Sequence, residues 1–381
     1  MLPLSLYIHI PWCIQKCPYC DFNSHQKTKN LPEIDYVHAL ILDLKQDIAS
    51  FGARPIHSIF IGGGTPSLLS EKTYGILFDA LHKLLDLSQV KEITLEANPN
   101  SADAKQFKGY RALGINRLSI GVQSFHNRHL KALGRAHDSL TAHAAIHTAH
   151  KAGFERINLD IMHSLPHQTK AEALDDLSTA LSFKPEHISW YQLTLEPNTI
   201  FYKKSPKLPD AEASFHIETE GKALLKANGL LPYEISAFSE PGQASLHNLN
   251  YWQFGDYFGI GAGAHGKLSQ AELNTVYRTQ KMRQPKDYLN LNKSFMAEQK
   301  IIDDSARVFE FMLNTTRLNR PIPYQLFAER TGLSIERLLP LLKIASTKQL
   351  VACSKTHWQV TDFGRQFTND LQAIFLMETS C

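Results

Sequence analysis

Six short runs rich in β-branched and aromatic residues recur through the first half of this chain, separated by five stretches with helical periodicity. The spacing predicts strands over 4–10, 57–61, 91–97, 116–121, 155–162 and 187–193. It predicts helices over 32–51, 71–87, 102–113, 139–152 and 170–183. Strands joined through helices by short connections must run parallel, with right-handed crossovers. Six units fall short of the eight that close a barrel. The expected fold is therefore α/β, an open three-quarter parallel barrel, with a doubly wound sheet as the alternative. Either fold places ligands at the carboxyl ends of its strands.

Chemically capable residues sit at those ends. Cys13, Cys17 and Cys20 follow the first strand in C-x3-C-x2-C spacing, and Gly62-Gly63-Gly64-Thr65-Pro66 follows the second. Glu96 ends the third strand, Gln123 follows the fourth and Asp160 lies late in the fifth. Three thiolates can hold a cubane iron–sulfur cluster while one iron keeps no protein ligand, whereas ordinary clusters take four cysteines. Structural zinc needs four ligands, and no second cysteine pair follows, although His9 or His25 could complete such a set. A disulfide fits worse, because the count is odd and Cys353 and Cys381 lie far away. No basic leader is visible, and charged or polar residues interrupt every apolar run. These features predict a reducing, cytoplasmic compartment and no integral membrane segment. Forty basic residues against 37 acidic ones, well mixed, predict no nucleic-acid partner.

Beyond residue 195 the pattern loosens. A helix over 211–228 and an extended piece over 233–238 are followed by five glycines within 255–266, read as a loop that brings backbone close to something. From about 303 the segments 303–318, 324–331 and 335–348 read as helices, followed by an extended pair and a last helix. That order is winged-helix-like. With ten basic and eight acidic residues from 300 onward, it suits docking better than DNA reading. The expected partition is 1–240 for the partial barrel, 241–300 for a glycine-rich connecting region closing it, and 301–381 for the C-terminal module. His143, His147 and His150 share one helical face, read as solvated rather than metal-binding.

The cysteine triad, with Tyr19 before its last member, resembles the signature of the radical S-adenosylmethionine (SAM) superfamily. The contexts Leu95-Glu96-Ala97-Asn98-Pro99, Gly121-Val122-Gln123-Ser124-Phe125, Gly134-Arg135-Ala136-His137 and Leu159-Asp160-Ile161-Met162 resemble successive motifs of its oxygen-independent coproporphyrinogen III oxidase-like family. The resemblance implies a 4Fe-4S cluster on Cys13, Cys17 and Cys20. It implies SAM contacts from Tyr7, Phe22, Gly63, Gly64, Thr65, Glu96, Gln123, Arg135, Asp160 and His265. Dehydrogenases of the family carry a further cysteine two residues after the third; here that place is Phe22, and the N-terminal extension is short. Both departures resemble the haem chaperone branch. So does His247-Asn248-Leu249-Asn250-Tyr251, an H-N-x-x-Y motif whose His247 and Tyr251 are implied to contact haem. The implied function is haem delivery to client haem proteins, leaning away from enzyme. The alternative is oxidative decarboxylation of coproporphyrinogen III.

Overall fold

The computed structural model describes residues 2–27, 30–100, 104–270, 272 and 274–376. Its first six strands are β1 (Leu4–Ile10), β2 (Ile56–Gly63), β3 (Glu92–Ala97), β4 (Arg117–Gln123), β5 (Arg156–His163) and β6 (His187–Gln192). Each pairs in parallel with the next. The six predicted strands match these within one or two residues at either end. β1 and β4 read almost entirely buried, as a sheet covered on both faces demands.

The crossover helices are Glu33–Phe51, Glu71–Leu84, Phe107–Ala112, Ser139–Lys151 and Lys170–Ser182. Local chemistry sets their starts. Ser70 and Asp138 accept hydrogen bonds from the third amide of their helices, and Thr169 with Glu172 forms a reciprocal capping box. The third helix begins later than the spacing predicts, and residues 102–103 of that expectation lie outside the described residues. The histidine face of 139–151 is not simply solvated: His143 and His147 stand edge-on against Phe183, at 5.2 Å between ring centres. His147 and His150 are nonetheless exposed, as a solvated face requires, and His143 is half-buried.

The sheet continues beyond the six units. β7 (Leu231–Pro232) and β8 (Ala237–Ser239) extend it past β6. On the other side β9 (Asp256–Ile260) pairs in parallel with β1, and β10 (His265–Gln270), β11 (Thr275–Lys281) and β12 (Met296–Ile301) follow antiparallel. The full order is β12-β11-β10-β9-β1-β2-β3-β4-β5-β6-β8-β7. Two expectations are corrected here. Part of the glycine-rich 255–266 stretch is a seventh parallel strand rather than a loop. Residues 241–300 widen the sheet rather than bridging its edges, so the barrel stays partial. Gly259 shows why glycine is used within β9: an added Cβ would run into the backbone of His265 on β10.

The main core fills the space between this sheet and its helices, with Ile8, Ile59, Leu95, Ile120 and Leu159 fully buried. A second core, around Phe311, Phe327, Leu342 and Trp358, belongs to the C-terminal module. There Asp304–Thr315, Tyr324–Thr331 and Leu339–Thr347 pack on a three-stranded antiparallel sheet of Ile322–Pro323, His357–Val360 and Val351–Cys353. This is the winged-helix-like order. Among the described residues no helix is long and apolar enough to cross a membrane.

Candidate cluster and cofactor site

The chain leaves β1 at Ile10 and enters a loop that carries all three cysteines. A two-residue strand, Trp12–Cys13, pairs with His25–Gln26 and closes the loop at its base. Within it the Cys20 amide donates to the Cys17 carbonyl at 3.2 Å, and Lys16 Nζ donates to the Ser24 carbonyl at 3.1 Å. Asn23 ties the loop outward: its Nδ2 donates to the carbonyls of Ala262 and Arg283 at 2.8 and 2.9 Å. The glycine-rich segment after β9 therefore braces the cysteine loop. That is the close backbone approach its composition predicted.

The glycine run after β2 packs against the same loop. The amides of Gly64 and Thr65 donate to the carbonyls of Ile10 and Trp12 at 2.8 and 2.7 Å. A Cβ on Gly64 would stand 2.5 Å from the Trp12 carbonyl oxygen, and one on Gly63, which has φ +119°, 2.5 Å from the His9 ring. The glycines are demanded by the protein's own backbone as well as by any ligand. We expect Gly64→Ala to displace the cysteine loop and lose the reconstituted cluster while the far-ultraviolet circular dichroism stays unchanged; iron content reads the result.

The three cysteines face a cavity of about 490 Å³, within the range of roughly 300–1,000 Å³ typical of small-molecule sites. Gly63, Gly64, Thr65, Glu96, Gln123, Arg135 and Asp160 line it too. The residues singled out at separate strand ends thus converge on one chamber. Phe22 also lines it and is 60% exposed, so it occupies the rim.

Electrostatics inside are unusual. Burial, followed by the negative field of Asp160, pushes the Glu96 carboxyl up to about 8, against a lowering contribution from the Gly63 N–H that donates to it at 3.0 Å. Burial also raises Asp160, against hydrogen bonds from Asn158, Ser189 and Ser119. Burial pushes the thiols of Cys13 and Cys20 above their ordinary range. Arg135 aims Nη1 at Cys17 Sγ, 3.7 Å away, and Nη2 donates to Asn98 Oδ1 at 2.6 Å and the Gly121 carbonyl at 2.8 Å. Its Nε is shielded and unpaired. Gln123 holds a left-handed backbone (φ +71°) uncommon for a side-chain-bearing residue, and its Oε1 accepts from Tyr191 at 2.8 Å.

The donor set fits a cluster. Three thiols share one wall with a guanidinium beside them, while among the described residues no three His, Cys, Asp or Glu side chains converge on a single ion. Two lining residues carry a role in the site that the sequence did not assign to them. Asn98 bridges Arg135 and Thr65, donating to Thr65 Oγ1 at 2.8 Å, and Tyr191 orients Gln123. Asn98 follows Glu96 by two positions at a strand end, a signal that could have found it. Tyr191 lies on β6 among the residues that line the chamber.

Four predicted residues stand elsewhere. Tyr7 does not line the cavity; its hydroxyl meets His9 Nδ1 at 2.8 Å, and His9 Nε2 meets the Asn23 carbonyl at 2.9 Å, so it reaches the cysteine loop only through His9. His265 begins β10 and is exposed. His247 and Tyr251 lie on a helix, Leu246–Trp252. They are i and i+4, and their side chains bond to each other at 2.9 Å. The other His247 nitrogen meets Ser58 Oγ at 3.1 Å, and the ring stacks on Phe60. Burial drives the His247 imidazole down to about 3, against the raising field of Glu92, so it is neutral. The residues of that helix facing the cavity are Asn248 and Trp252.

Comparison with known proteins agrees with this geometry. The radical SAM superfamily model matches residues 7–180, and the HemN C-terminal domain model matches 302–367. The heme chaperone HemW of Haemophilus influenzae is 46% identical over 380 residues, covering 99% of this chain and 98% of that protein. The chain belongs to the HemW family of radical SAM proteins. The Escherichia coli heme chaperone HemW is 45% identical over 99% of both chains. In fold, the family member resembles the coproporphyrinogen III oxidase HemN of Escherichia coli, with a TM-score of 0.82 over 98% of this chain and 90% of that one, at 22% identity.

Proposed function

We propose that this chain is a haem chaperone on a radical SAM scaffold, which binds haem and passes it to client haem proteins in the cytoplasm. One observation carries the reading: kinship at 46% identity along the whole length with a heme chaperone, against 22% with the oxidase of the same fold. Phe22 supports it, standing where the dehydrogenases carry a further cysteine.

Cys13, Cys17 and Cys20 would hold a four-iron, four-sulfur cluster, and SAM would occupy the part of the chamber beside it that Gly63, Thr65, Glu96, Gln123, Arg135 and Asp160 line. The cluster supplies an iron without a protein ligand, to which the methionine end of SAM can bind. Glu96 and Asp160 suit the amino and hydroxyl groups of SAM, and Arg135, with its unpaired Nε, suits the carboxylate. Tyr7 would act from behind this wall, through His9. His247 and Tyr251 enter through the helix they anchor, since direct ligation would require the imidazole to leave Ser58 or Tyr251.

The raised Glu96 carboxyl gives a pH prediction. Below about 8 the free protein keeps Glu96 protonated, and a cationic ligand placed beside it expels that proton. Affinity for SAM is therefore expected to rise with pH, by up to about tenfold per unit, and to level off above 8. Titrations of the cluster-loaded protein at several pH values check this, and Glu96→Gln should flatten the profile.

The function itself is tested by loading the anaerobically reconstituted protein with haem and mixing it with an apo-haem protein. Transfer, followed by absorbance, is expected. Conversion of coproporphyrinogen III to protoporphyrinogen by the same preparation would instead support the dehydrogenase reading.

A further inference from the structure

The cavity has a far wall that the cysteine and SAM motifs leave unused. It is formed by Glu234, Asn248, Trp252 and Arg317, and Arg317 comes from the C-terminal module, just beyond the helix Asp304–Thr315. We propose that this wall binds a carboxylate of the tetrapyrrole, with the Arg317 guanidinium as anchor and Asn248 and Trp252 beside it. The proposal rests on the haem-binding reading above and names the part of haem that this end of the site recognises.

The donors there outnumber the acceptors. Arg317 Nη2 pairs with Glu234 Oε2 at 2.9 Å, while Nη1 makes no hydrogen bond among the described residues. Arg317 Nε and Trp252 Nε1 are both shielded from water and unpaired. Shielded donors without acceptors are rare in native proteins and costly to keep. Nη1 is not among the shielded atoms, so that end of the guanidinium is where an incoming carboxylate would be met. The guanidinium is also oriented in advance, lying over the Trp252 ring with its carbon 4.3 Å from the ring centre. A planar fork held this way matches the two oxygens of a carboxylate. Haem carries two propionates on one edge of an otherwise apolar macrocycle, and Met162, Leu193 and Ala237 give the same cavity apolar surface.

Arg317 is not alone in docking the C-terminal module at this point, where it pairs with Glu234. Asn319 adds two further links: its amide donates to the Tyr233 carbonyl at 2.9 Å, and its Nδ2 donates to the Pro232 carbonyl at 3.0 Å. The geometry thus gives the C-terminal module a place in the binding site. It also explains the H-N-x-x-Y helix: His247 and Tyr251 fix it inside, and the next residue along from each, Asn248 and Trp252, faces the ligand.

The test compares haem with haem dimethyl ester, whose propionates carry no charge, in titrations of the full-length, cluster-loaded protein. Wild type is expected to bind haem about tenfold or more tighter than the ester, the range of a charge-assisted hydrogen bond. Arg317→Met, which keeps an unbranched stem but no charge, should lose that preference by weakening haem alone, and Arg317→Lys should restore part of it. Unchanged haem affinity in Arg317→Met, or equal loss of haem and ester with iron content intact, would overturn the assignment and leave the haem reading standing. Should Arg317→Met fail to hold its cluster, Trp252→Phe decides by the same ratio: a reduced preference supports the wall, an unchanged one refutes it. Wild-type protein that retains neither porphyrin removes the haem reading itself, and the proposal with it.

Discussion

Cys17→Ala protein, reconstituted anaerobically, is expected to hold no stable four-iron cluster, with iron and sulfide falling to background. Cys17 is the most informative of the three. Its sulfur receives Arg135 Nη1 at 3.7 Å and lies 3.9 Å from the Gly134 carbonyl, so it connects the cysteine loop to the strand-end wall that follows β4. With one iron already lacking a protein ligand, losing a second anchor leaves two thiolates to hold four irons, against the four cysteines that ordinary clusters use. Cys353→Ala is the matched control. Cys353 is exposed on the small C-terminal sheet, and its loss should change neither iron nor sulfide. Full cluster in Cys17→Ala, or equal loss in both variants, would show that the triad is not the metal centre.

Glu92→Ala is expected to destabilise the fold by about 3–5 kcal/mol, the cost of stripping one partner from a buried charge cluster. Glu92 is fully buried at the start of β3 and pairs with Arg156 at 3.0 Å. Its two oxygens also accept from Ser245 Oγ and from the amides of Leu246 and His247, each at 3.1 Å. One carboxylate thus neutralises an arginine and satisfies the open amides of the Leu246–Trp252 helix, where a negative charge is favoured. Burial alone would raise its carboxyl, but Arg117, Arg156 and the helix amides outweigh it and hold it below the usual range. The sign follows: its stabilising contribution is complete above the ordinary glutamate range and is lost as pH falls through its lowered value. Urea unfolding of wild type and Glu92→Ala at neutral and acidic pH measures both effects, and the gap between the two proteins should narrow in acid. A variant as stable as wild type would show that the Glu92 network contributes little.

The parallel core was legible because its strands carry β-branched residues with helices and short turns between them, and β1 matches its expected limits residue for residue. β9 was hidden for a physical reason. Gly255, Gly259 and Gly261 in and around Asp256–Ile260 have no side chains to show a strand's alternation, yet glycine is what lets neighbouring backbone pack there. The wider antiparallel edge was missed because β10 and β11 are mostly polar, as in the run Thr275–Lys281. At the site, residue types at strand ends predicted the cavity's members well, because a parallel fold fixes where strand ends point. Direction within a helix was not legible. The motif His247 to Tyr251 holds an i, i+4 pair, and only packing against Ser58 and Phe60 decides that this pair faces inward while Asn248 and Trp252 face the cavity. Arg317 lies too far along the chain from every other wall residue for any local pattern to point to it.

The open iron is tested most directly by electron paramagnetic resonance of the anaerobically reconstituted, reduced protein, recorded with and without SAM. A four-iron cluster held by Cys13, Cys17 and Cys20 predicts a signal whose g-values shift when SAM binds, and Glu96→Gln should weaken the SAM dependence without removing the signal. A spectrum that SAM leaves unmoved, or purified protein carrying zinc in place of iron, would contradict it.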